Sequence, residues 1–343
     1  MDAPPEAPAD TPVLSQILAS SGLTLNGYVA SSYYRSTGYN SLHQFDTHHD
    51  TFQLDQAGLQ ISHLPSGGFG ASVDLLAGED ARILNMAEHG TDGPFNARQA
   101  FIQYAAGSFT FIAGKFVTLA GVESSNPTKN SSFSRSLLFF AEPLTHTGAR
   151  VTWAPNQRLT LFAGVNNGWN ATSLSRGSKT AELGVSLAPN GQLTLSAQGY
   201  FGRDPGFDAS RSLVDFVGTW NFTDRLGFSL SYDRGRQAQR AGHSLDWDGV
   251  AGYFTYAFSG QWHLSLRAEY LNDKGGFVTG TRQALKEGTL TVIFSPVKSF
   301  ELRIEARFDT SDEATFVRTM DATGAGALDD HQGEFAVQAL CHF

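Results

Sequence analysis

The chain has 343 residues, with 36 Gly and 26 Phe, and its charged fraction of 17% is below the roughly 25% that is usual in soluble domains. Its net charge of -9, without a visible Lys/Arg run, argues against nucleic acid as a partner. The mean hydropathy of -0.21 is too polar for a helical membrane protein, and no stretch approaches the roughly 18 apolar residues of a spanning helix. The single cysteine, Cys341, excludes an intramolecular disulfide and a CxxC metal pair.

Residues 1–22 differ in composition from the rest of the chain. The stretch Asp2–Asp10 is rich in Pro, Ala and acidic residues and is expected to be disordered. Thr11-Pro12 begins a predicted short helix that Ser20-Ser21-Gly22 ends. This helix would plug the mouth of the domain that follows, lie at its rim, or simply precede its first strand. We therefore expect an N-terminal segment, residues 1–22, and one large β-domain, residues 23–343.

After Gly22 the hydrophobic period changes from 3.6 to 2, which predicts strands with one apolar and one polar face. The clearest alternation runs from Phe300 to Asp309, where apolar residues alternate with Glu, Arg and Asp. Trp262–Tyr270 and Leu193–Gln198 follow the same pattern. The sequence therefore predicts an all-β domain.

Seven short segments rich in Gly, Pro, Asn and Asp separate pairs of predicted strands and supply the dihedrals that turns require. They are Pro65–Gly68, Ala106–Ser108, Pro155–Gln157, Pro189–Gly191, Thr223-Asp224, Ser259–Gln261 and Ser295–Lys298. The segments between successive hairpins, such as Thr37–Asp50, Asp80–Pro94 and Thr310–Asp330, are longer and polar. Short turns on one side and long loops on the other are typical of outer-membrane barrels.

Seven hairpins contribute fourteen strands, and one further strand fits before them, at Leu23–Arg35, and one after them, at Phe335–Phe343. Sixteen strands are therefore expected, an even number that is wide enough for an aqueous channel. Fourteen and eighteen strands stay open as alternatives, because Phe95–Phe116 alternates poorly.

A period of two also occurs in soluble β-sandwiches, so the position of the aromatic residues decides between the two classes. Those beside the short turns are Trp153, Phe222, Phe258, Trp262, Phe294 and Phe300, and those at the opposite strand ends are Tyr232, Tyr270 and Phe308. Two aromatic bands around a Leu/Val/Ala middle are typical of interfacial girdles. The sequence predicts a transmembrane antiparallel up-and-down β-barrel in a bacterial outer membrane, surrounded by lipid and lipopolysaccharide.

An outer-membrane protein must be exported, but the sequence begins without a charged and apolar leader. We therefore interpret it as the mature form, from which the signal peptide has been removed. The strand Phe335–Phe343 ends on an aromatic residue with apolar residues at alternate positions before it. This pattern resembles the terminal signature that outer-membrane barrels present to the barrel assembly machinery, and it would make Phe343 an assembly signal.

Several short motifs resemble the OmpL-like β-barrel porin family. They are Leu25–Val29, Gly114-Lys115-Phe116, Ser134-Arg135-Ser136 and Pro143–Gly148. The resemblance covers residues 23–343. It implies a porin-like barrel of the outer membrane but no defined solute.

The longest unpatterned segment, Val117–Leu144, joins the predicted strands five and six. In general porins the loop in this position folds into the lumen. By resemblance, Glu123, Lys129, Arg135 and Glu142 are therefore candidates for a pore constriction. The alternative is a loop that caps the outer mouth.

The polar faces of the predicted strands supply the opposite wall of such a pore. The candidate lumen residues there are Arg150, Arg267, Glu269, Glu301, Arg303, Glu305 and Arg307. In all, five arginines and eight acids lie at alternate positions on these polar faces, and Arg158 is one of the five arginines. This balance suggests at most a weak preference for cations. Alternatively, many of these groups pair across strands as ion pairs of the wall.

The predicted function is passive diffusion of small hydrophilic solutes or ions through a water-filled lumen of mixed charge, without a cofactor. No GxSxG elbow or other recognisable catalytic arrangement is present, so an enzyme is not expected. His43, His48 and His49 share a loop with two aspartates and are interpreted as solvated. Asp329, Asp330 and His331 could bridge divalent cations near lipopolysaccharide, but no metal site is predicted.

Two other functions stay open at this point. The first is a structural barrel that clamps or encloses a partner protein. The second is a substrate-specific channel with aromatic residues along its polar face, for which Tyr200 and Phe162 are the candidates. A homo-oligomer is compatible with the sequence, but an apolar outer patch that would support it is not visible in the pattern alone.

Overall fold

The computed structural model describes residues 18, 20–173, 178–204, 209–239, 242–320 and 326–343. Within these ranges, sixteen antiparallel strands close into one barrel and two more strands form a separate hairpin. The predicted disordered stretch Asp2–Asp10 and the predicted helix start at Thr11-Pro12 lie outside the described residues. None of the helices described is long and apolar enough to cross a membrane.

The strands are β1 (Thr24–Ser36), β2 (Thr51–His63), β3 (Gly68–Ala77), β4 (Phe95–Ala106), β5 (Phe109–Val117), β6 (Thr145–Asn156), β7 (Leu159–Asn166), β8 (Thr180–Leu187), β9 (Leu193–Asp204), β10 (Ala209–Thr223), β11 (Leu226–Ala238), β12 (Ser244–Ala257), β13 (Trp262–Asp273), β14 (Gln283–Val297), β15 (Phe300–Ser311), β16 (Phe316–Met320), β17 (Gly326–Asp329) and β18 (His331–His342). The helices are α1 (Glu79–His89) and α2 (Leu137–Phe140), with a 3-10 turn at Pro127–Lys129.

Consecutive strands of the barrel pair with each other, and β18 pairs with both β15 and β1 to close it. The prediction of a sixteen-stranded antiparallel barrel is confirmed. The seven predicted turns all lie between paired strands, from Pro65–Gly68 after β2 to Ser295–Lys298 before β15. The first strand begins within a residue of its predicted start, whereas the last begins at His331 rather than at Phe335.

The barrel wall has its apolar side chains on the outside, as β15 illustrates. Ile304 and Phe308 are 42% and 53% exposed, whereas Arg303, Glu305 and Arg307 between and beside them are buried. A soluble sandwich has the reverse arrangement, with its apolar face inside. An apolar outer surface and a polar interior are those of a barrel that faces lipid.

The poor alternation in β4 is due to a β-bulge at Arg98. The pairing between β3 and β4 shifts from Asp74–Gln99 to Leu75–Ala97, which leaves Arg98 as an extra residue. Before the bulge the even-numbered Asn96 is buried, whereas after it the even-numbered Ile102 is exposed. One inserted residue exchanges the two faces of a strand, so a simple period of two fails across it.

The connections opposite the short turns contain the additional structure. The β3–β4 connection contains α1, which ends at Gly90 in a left-handed conformation with a φ of 65°. Ala81 and Leu84 of α1 pack against Phe45 and Phe139, so this helix, which lies in a segment predicted to be a polar loop, is anchored in the interior.

The β15–β18 connection contains the β16–β17 hairpin. The β5–β6 connection, residues 118–144, contains the 3-10 turn and α2, and we call it the lumen loop.

Candidate pore constriction

The lumen loop lies inside the barrel, where inward-facing carboxylates of the wall bind its backbone. Glu305 of β15 accepts hydrogen bonds from the amides of Phe133 and Ser134, with N–O distances of 2.7 and 2.9 Å. Glu269 of β13 accepts hydrogen bonds from the first two amides of α2, at 2.8 and 3.2 Å. The first amides of a helix have no partner within the helix, so a carboxylate satisfies them well. These contacts are incompatible with a loop that only caps the outer mouth.

Arg267 of β13 connects the wall to the loop at the same level. Its side chain is fully buried, and its guanidinium lies 2.8 Å from Glu123 of the loop and 3.1 Å from Glu287 of β14. It also donates a hydrogen bond to the carbonyl oxygen of Ser134 at 2.9 Å. Buried charges are tolerated when they are paired and hydrogen-bonded, as this arginine is.

Two arginines of β15 make similar contacts with the loop backbone. Arg303 donates to the carbonyl oxygen of Pro127 at 3.1 Å and pairs with Glu301 at 2.7 Å. Arg307 donates to the carbonyl oxygen of Arg135 at 2.6 Å. We call Arg267, Arg303 and Arg307 the arginine row. The three guanidinium groups dock one face of the lumen loop on β13–β15.

Most of the residues that the sequence analysis selected as pore candidates meet at this contact. They are Glu123, Arg135, Arg267, Glu269, Arg303, Glu305 and Arg307. Arg150 lies apart from them, on β6, where it pairs with Glu182 and packs 4.3 Å from the ring centre of Phe116. Arg158 is exposed in the turn between β6 and β7, so its expected place on the inner wall is wrong. Most of these arginines form close ion pairs with acids of the wall. Arg267–Glu287 and Arg150–Glu182 join different strands, whereas Arg303–Glu301 and Arg307–Asp309 lie within β15.

Lys129 and Glu301 face open space below the loop. A cavity of about 420 Å³ is lined by the tip of the loop, including Lys129, by the β10–β11 turn and by Glu301. A second cavity of about 100 Å³ shares Lys129 and reaches Glu123. Because short turns of outer-membrane barrels face the periplasm, the larger cavity lies at the periplasmic end.

Aromatic side chains cover the opposite, outer end of the lumen. The Trp247 ring is fully buried, with the Phe277 ring 4.6 Å away and nearly parallel and the Trp169 ring 6.1 Å away and perpendicular. The guanidinium of Arg211 lies over Trp169 and Phe277, 5.0 and 4.8 Å from their ring centres. Tyr200, a candidate for an aromatic slide, instead holds the start of the lumen loop by hydrogen bonds at 3.1 Å.

Glu142, near the end of the lumen loop, lies away from the arginine row. It is buried beside Asp215 of β10 and Asp233 of β11, and one oxygen from each of the three residues lies within 4.8 Å of the others. Burial raises the pKa of Glu142 well above its usual range, and the charges of Asp233 and Asp215 raise it further. Glu142 is one of the expected constriction residues, and Asp215 and Asp233 belong to the eight acids expected on the polar faces of the strands, but their spacing in the sequence does not group the three residues.

His43 is an interior residue that the sequence analysis interpreted wrongly as solvated. Its Nδ1 lies 2.5 Å from Asp46 and its Nε2 3.1 Å from Asp309, and the side chain is fully buried. Burial and Arg307 lower the pKa of His43, but the two aspartates outweigh them and raise it to about 10. Only the fold brings Asp309 to this histidine, because the two residues are 266 positions apart. No local signal reveals the contact.

A family model described as "Putative beta-barrel porin-2, OmpL-like" matches residues 22–343 of the chain. No sequence among the curated proteins matches it.

Three solved structures with 12% sequence identity have the same fold. The Vibrio cholerae outer-membrane protein OmpT in its trimer form aligns with a TM-score of 0.65 over 94% of this chain and 99% of its own. The outer-membrane channel DcaP of Acinetobacter baumannii aligns with a TM-score of 0.63 over 94% and 97%. An anion-selective porin from Comamonas acidovorans aligns with a TM-score of 0.61 over 94% and 99%.

Proposed function

Because this chain belongs to the OmpL-like beta-barrel porin-2 family and is an outer-membrane porin, we propose that small hydrophilic solutes and ions diffuse passively through its barrel. The lumen loop docked on the arginine row is the observation that supports this most. It narrows the barrel without removing the polar cavity of about 420 Å³ at the periplasmic end. A fixed loop inside a wide barrel sets both the width and the charge of a pore.

In this proposal, the residues of the constriction have two different tasks. Glu123, Arg135 and the arginine row hold the loop in place, because their charges are paired with each other or with backbone groups. Lys129 is exposed at the loop tip and forms no ion pair within the described ranges, whereas the Glu301 side chain is 28% exposed and pairs with Arg303 at 2.7 Å. These two residues present the charges that a solute meets first from the periplasmic side. Glu301 is compensated by Arg303 and Lys129 is a single charge, so we expect weak selectivity, with Lys129 favouring anions.

The porin-like neighbours indicate a channel rather than an enzyme. The alternative of a barrel that encloses a partner protein is less favoured by the structure. Such a barrel requires a wide lumen, but the lumen loop, α1 and the aromatic cluster at Trp247 occupy much of the interior. The cavities of about 420 and 100 Å³ accommodate small solutes rather than a second chain.

We further propose that the protein is a homo-oligomer, since the neighbour OmpT is described in a trimer form. Outer-membrane lipids and lipopolysaccharide would cover the remaining apolar wall, and the barrel assembly machinery would bind the terminal strand through Phe343. Native mass spectrometry of the detergent-extracted protein tests the oligomer directly. A single species with the mass of one chain would contradict it.

The first experiment on permeation is single-channel recording of the refolded barrel in a planar bilayer, with the reversal potential measured under a salt gradient. Steady openings are expected from the wild type. Lys129→Glu should shift the reversal potential toward cation preference. Lys286→Glu makes the same charge change on an exposed, outward-facing position of β14 and should leave it unchanged.

The outcomes of this recording separate the proposals. A folded barrel without openings would overturn passive diffusion and leave the enclosing scaffold as the better explanation. Equal shifts for the two variants would show that Lys129 does not border the path of the ions.

A further inference from the structure

Three buried carboxylates lie beside the end of the lumen loop, and no cation among the described residues forms an ion pair with them. Asp215 and Asp233 are directly opposite each other on β10 and β11, and both are completely buried. Glu142 of the lumen loop is the third member. Like charges directly opposite each other in a sheet destabilise it, and burial increases the cost. A group of this kind requires a partner that removes its negative charge.

Within the described residues, the protein supplies hydrogen-bond donors to Asp215 but not to Asp233. Asp215 accepts hydrogen bonds from Gln198, from the amide of Gly121 at 3.2 Å and from Ser231 at 3.4 Å. Both oxygens of Asp233 and one oxygen of Glu142 receive no hydrogen bond from any amide, hydroxyl or cationic group of the described residues. The ion pairs within the same ranges leave out all three carboxylates. Asp233 is thus a fully buried carboxyl group that receives no donor from the amides, hydroxyls and cations of the described residues, and its polar neighbours are the carboxyl groups of Asp215 and Glu142.

We propose that Glu142, Asp215 and Asp233 bind a divalent cation, with calcium preferred. All three ligands are carboxylate oxygens, which hard cations prefer and soft metals do not. The ligand oxygens lie within 4.8 Å of one another. This spacing is compatible with binding to one cation, since oxygens bound to one Ca²⁺ at 2.3–2.6 Å lie at most about 5 Å apart. Calcium is preferred over magnesium because Mg²⁺ keeps several of its waters and is seldom held by protein ligands alone.

Gly121 leaves room for the carboxylate of Glu142 at the proposed cation site. Gly121 has a φ of 75°, and a β-carbon at this position would collide with the carboxylate of Glu142. Any other residue would therefore be strained at position 121 and would displace one of the three ligands. The amide of Gly121 also contacts Asp215, so residues from both ends of the lumen loop meet at the proposed site.

At this position the cation would hold the lumen loop in place. The arginine row docks the middle of the lumen loop on β13–β15, and the cation would fasten its two ends to β10–β11. The loop would then be held on two sides of the barrel. Neither contact requires that a solute passes through the pore, so cation binding is tested independently of the proposed function.

Two other groups of potential metal ligands differ from this site in their charge or in their exposure. His43, Asp46 and Glu334 are buried together, but His43 and the nearby Arg307 already provide positive charge. Asp329, Asp330 and His331 lie at the surface, where acidic groups are usually hydrated. The second group is nevertheless useful, because Asp330→Asn removes a surface carboxylate as a matched control.

The experiment is isothermal titration of CaCl₂ into the full-length barrel in detergent micelles, after treatment with EDTA. We expect one calcium site per chain, weaker binding of MgCl₂, and at least tenfold weaker calcium binding in Asp233→Asn. Asp330→Asn should bind calcium like the wild type. Calcium should also raise the melting temperature of the wild type and of Asp330→Asn but not of Asp233→Asn, because a ligand stabilises only the state that binds it.

Asp233→Asn should fold without calcium, because the amide replaces a buried charge with a neutral group of the same shape. If it does not fold, Glu142→Gln in the loop provides the same test. Absence of stoichiometric calcium binding by the wild type would overturn the proposal and indicate that protons neutralise the group. Equal binding by the wild type and both lumen variants would assign the calcium to other carboxylates and overturn it as well.

Discussion

Replacing Arg267 with Ala should release the lumen loop from the wall. Arg267 is fully buried and is the shared cation of Glu123 at 2.8 Å, Glu287 at 3.1 Å and Glu269 at 3.8 Å. It also donates to the carbonyl oxygen and the hydroxyl of Ser134 at 2.9 Å each. Removing it leaves buried carboxylates without a partner on both the loop and the wall.

The expected magnitude follows from the cost of breaking a buried ion pair from one side, roughly 3–5 kcal/mol. Because about 1.4 kcal/mol changes an equilibrium constant tenfold, the equilibrium between docked and released loop should shift by roughly a hundredfold to several thousandfold. The strand pairing of the barrel does not depend on Arg267, so the loop is expected to be affected before the wall. The released loop should increase both the mean conductance and the current noise.

Two assays check this expectation. Unfolding by guanidinium chloride, followed by Trp fluorescence, measures the loss of stability, and single-channel recording measures the mobility of the loop. Arg158→Ala is the matched control, because Arg158 is exposed in a turn, and it should change neither quantity. In a double-mutant cycle, adding Glu123→Gln to Arg267→Ala should restore part of the lost stability. An unchanged stability and an unchanged conductance in Arg267→Ala would refute the docking argument.

Three further predictions concern other parts of the barrel. Phe343→Ser should slow assembly into the outer membrane, measured as the fraction of heat-modifiable protein after a pulse of expression, and unchanged kinetics would argue against an assembly signal. Gly235→Val should lower the melting temperature, because its β-carbon would overlap the Trp247 ring; an equal melting temperature would show that the ring can move. The raised pKa of His43 means that its bound proton stabilises the fold below pH 6.5 and that this contribution disappears as the pH rises through about 10. The stability advantage of the wild type over His43→Gln should therefore shrink between these pH values, and a constant difference would contradict the assignment.

The strands could be predicted because their signal is local. In β15, the identity of each residue from Leu302 to Asp309 reports which face it occupies, since lipid and lumen select opposite polarities. The signal fails at Arg98, where the bulge inserts a residue that no period of two anticipates. The helix α1 had a local signal that was overlooked: acids in its first turn, apolar residues at Ala81 and Leu84, and a glycine at its end.

The partners of the interior charges could not be predicted, because they depend on the register of distant strands and on the path of the loop. Parity correctly put Arg267 and Glu305 on the inner face. It carried no information on Glu123, which is 144 positions from Arg267, or on Phe133, whose amide is 172 positions from Glu305. Close packing of the lumen loop against the wall brings these distant charges into contact ion pairs.

The pairing of β1 with β18 also constrains the order in which the protein matures. Gly27 and Phe343 exchange both backbone hydrogen bonds, at 2.9 Å each, although almost the whole described chain lies between them. Such a contact carries the largest loop-closure cost in the molecule, so it is expected to form late. Every earlier intermediate has two unpaired strand edges that can capture another chain. The interval between export and closure is therefore the period in which this protein most needs protection from aggregation.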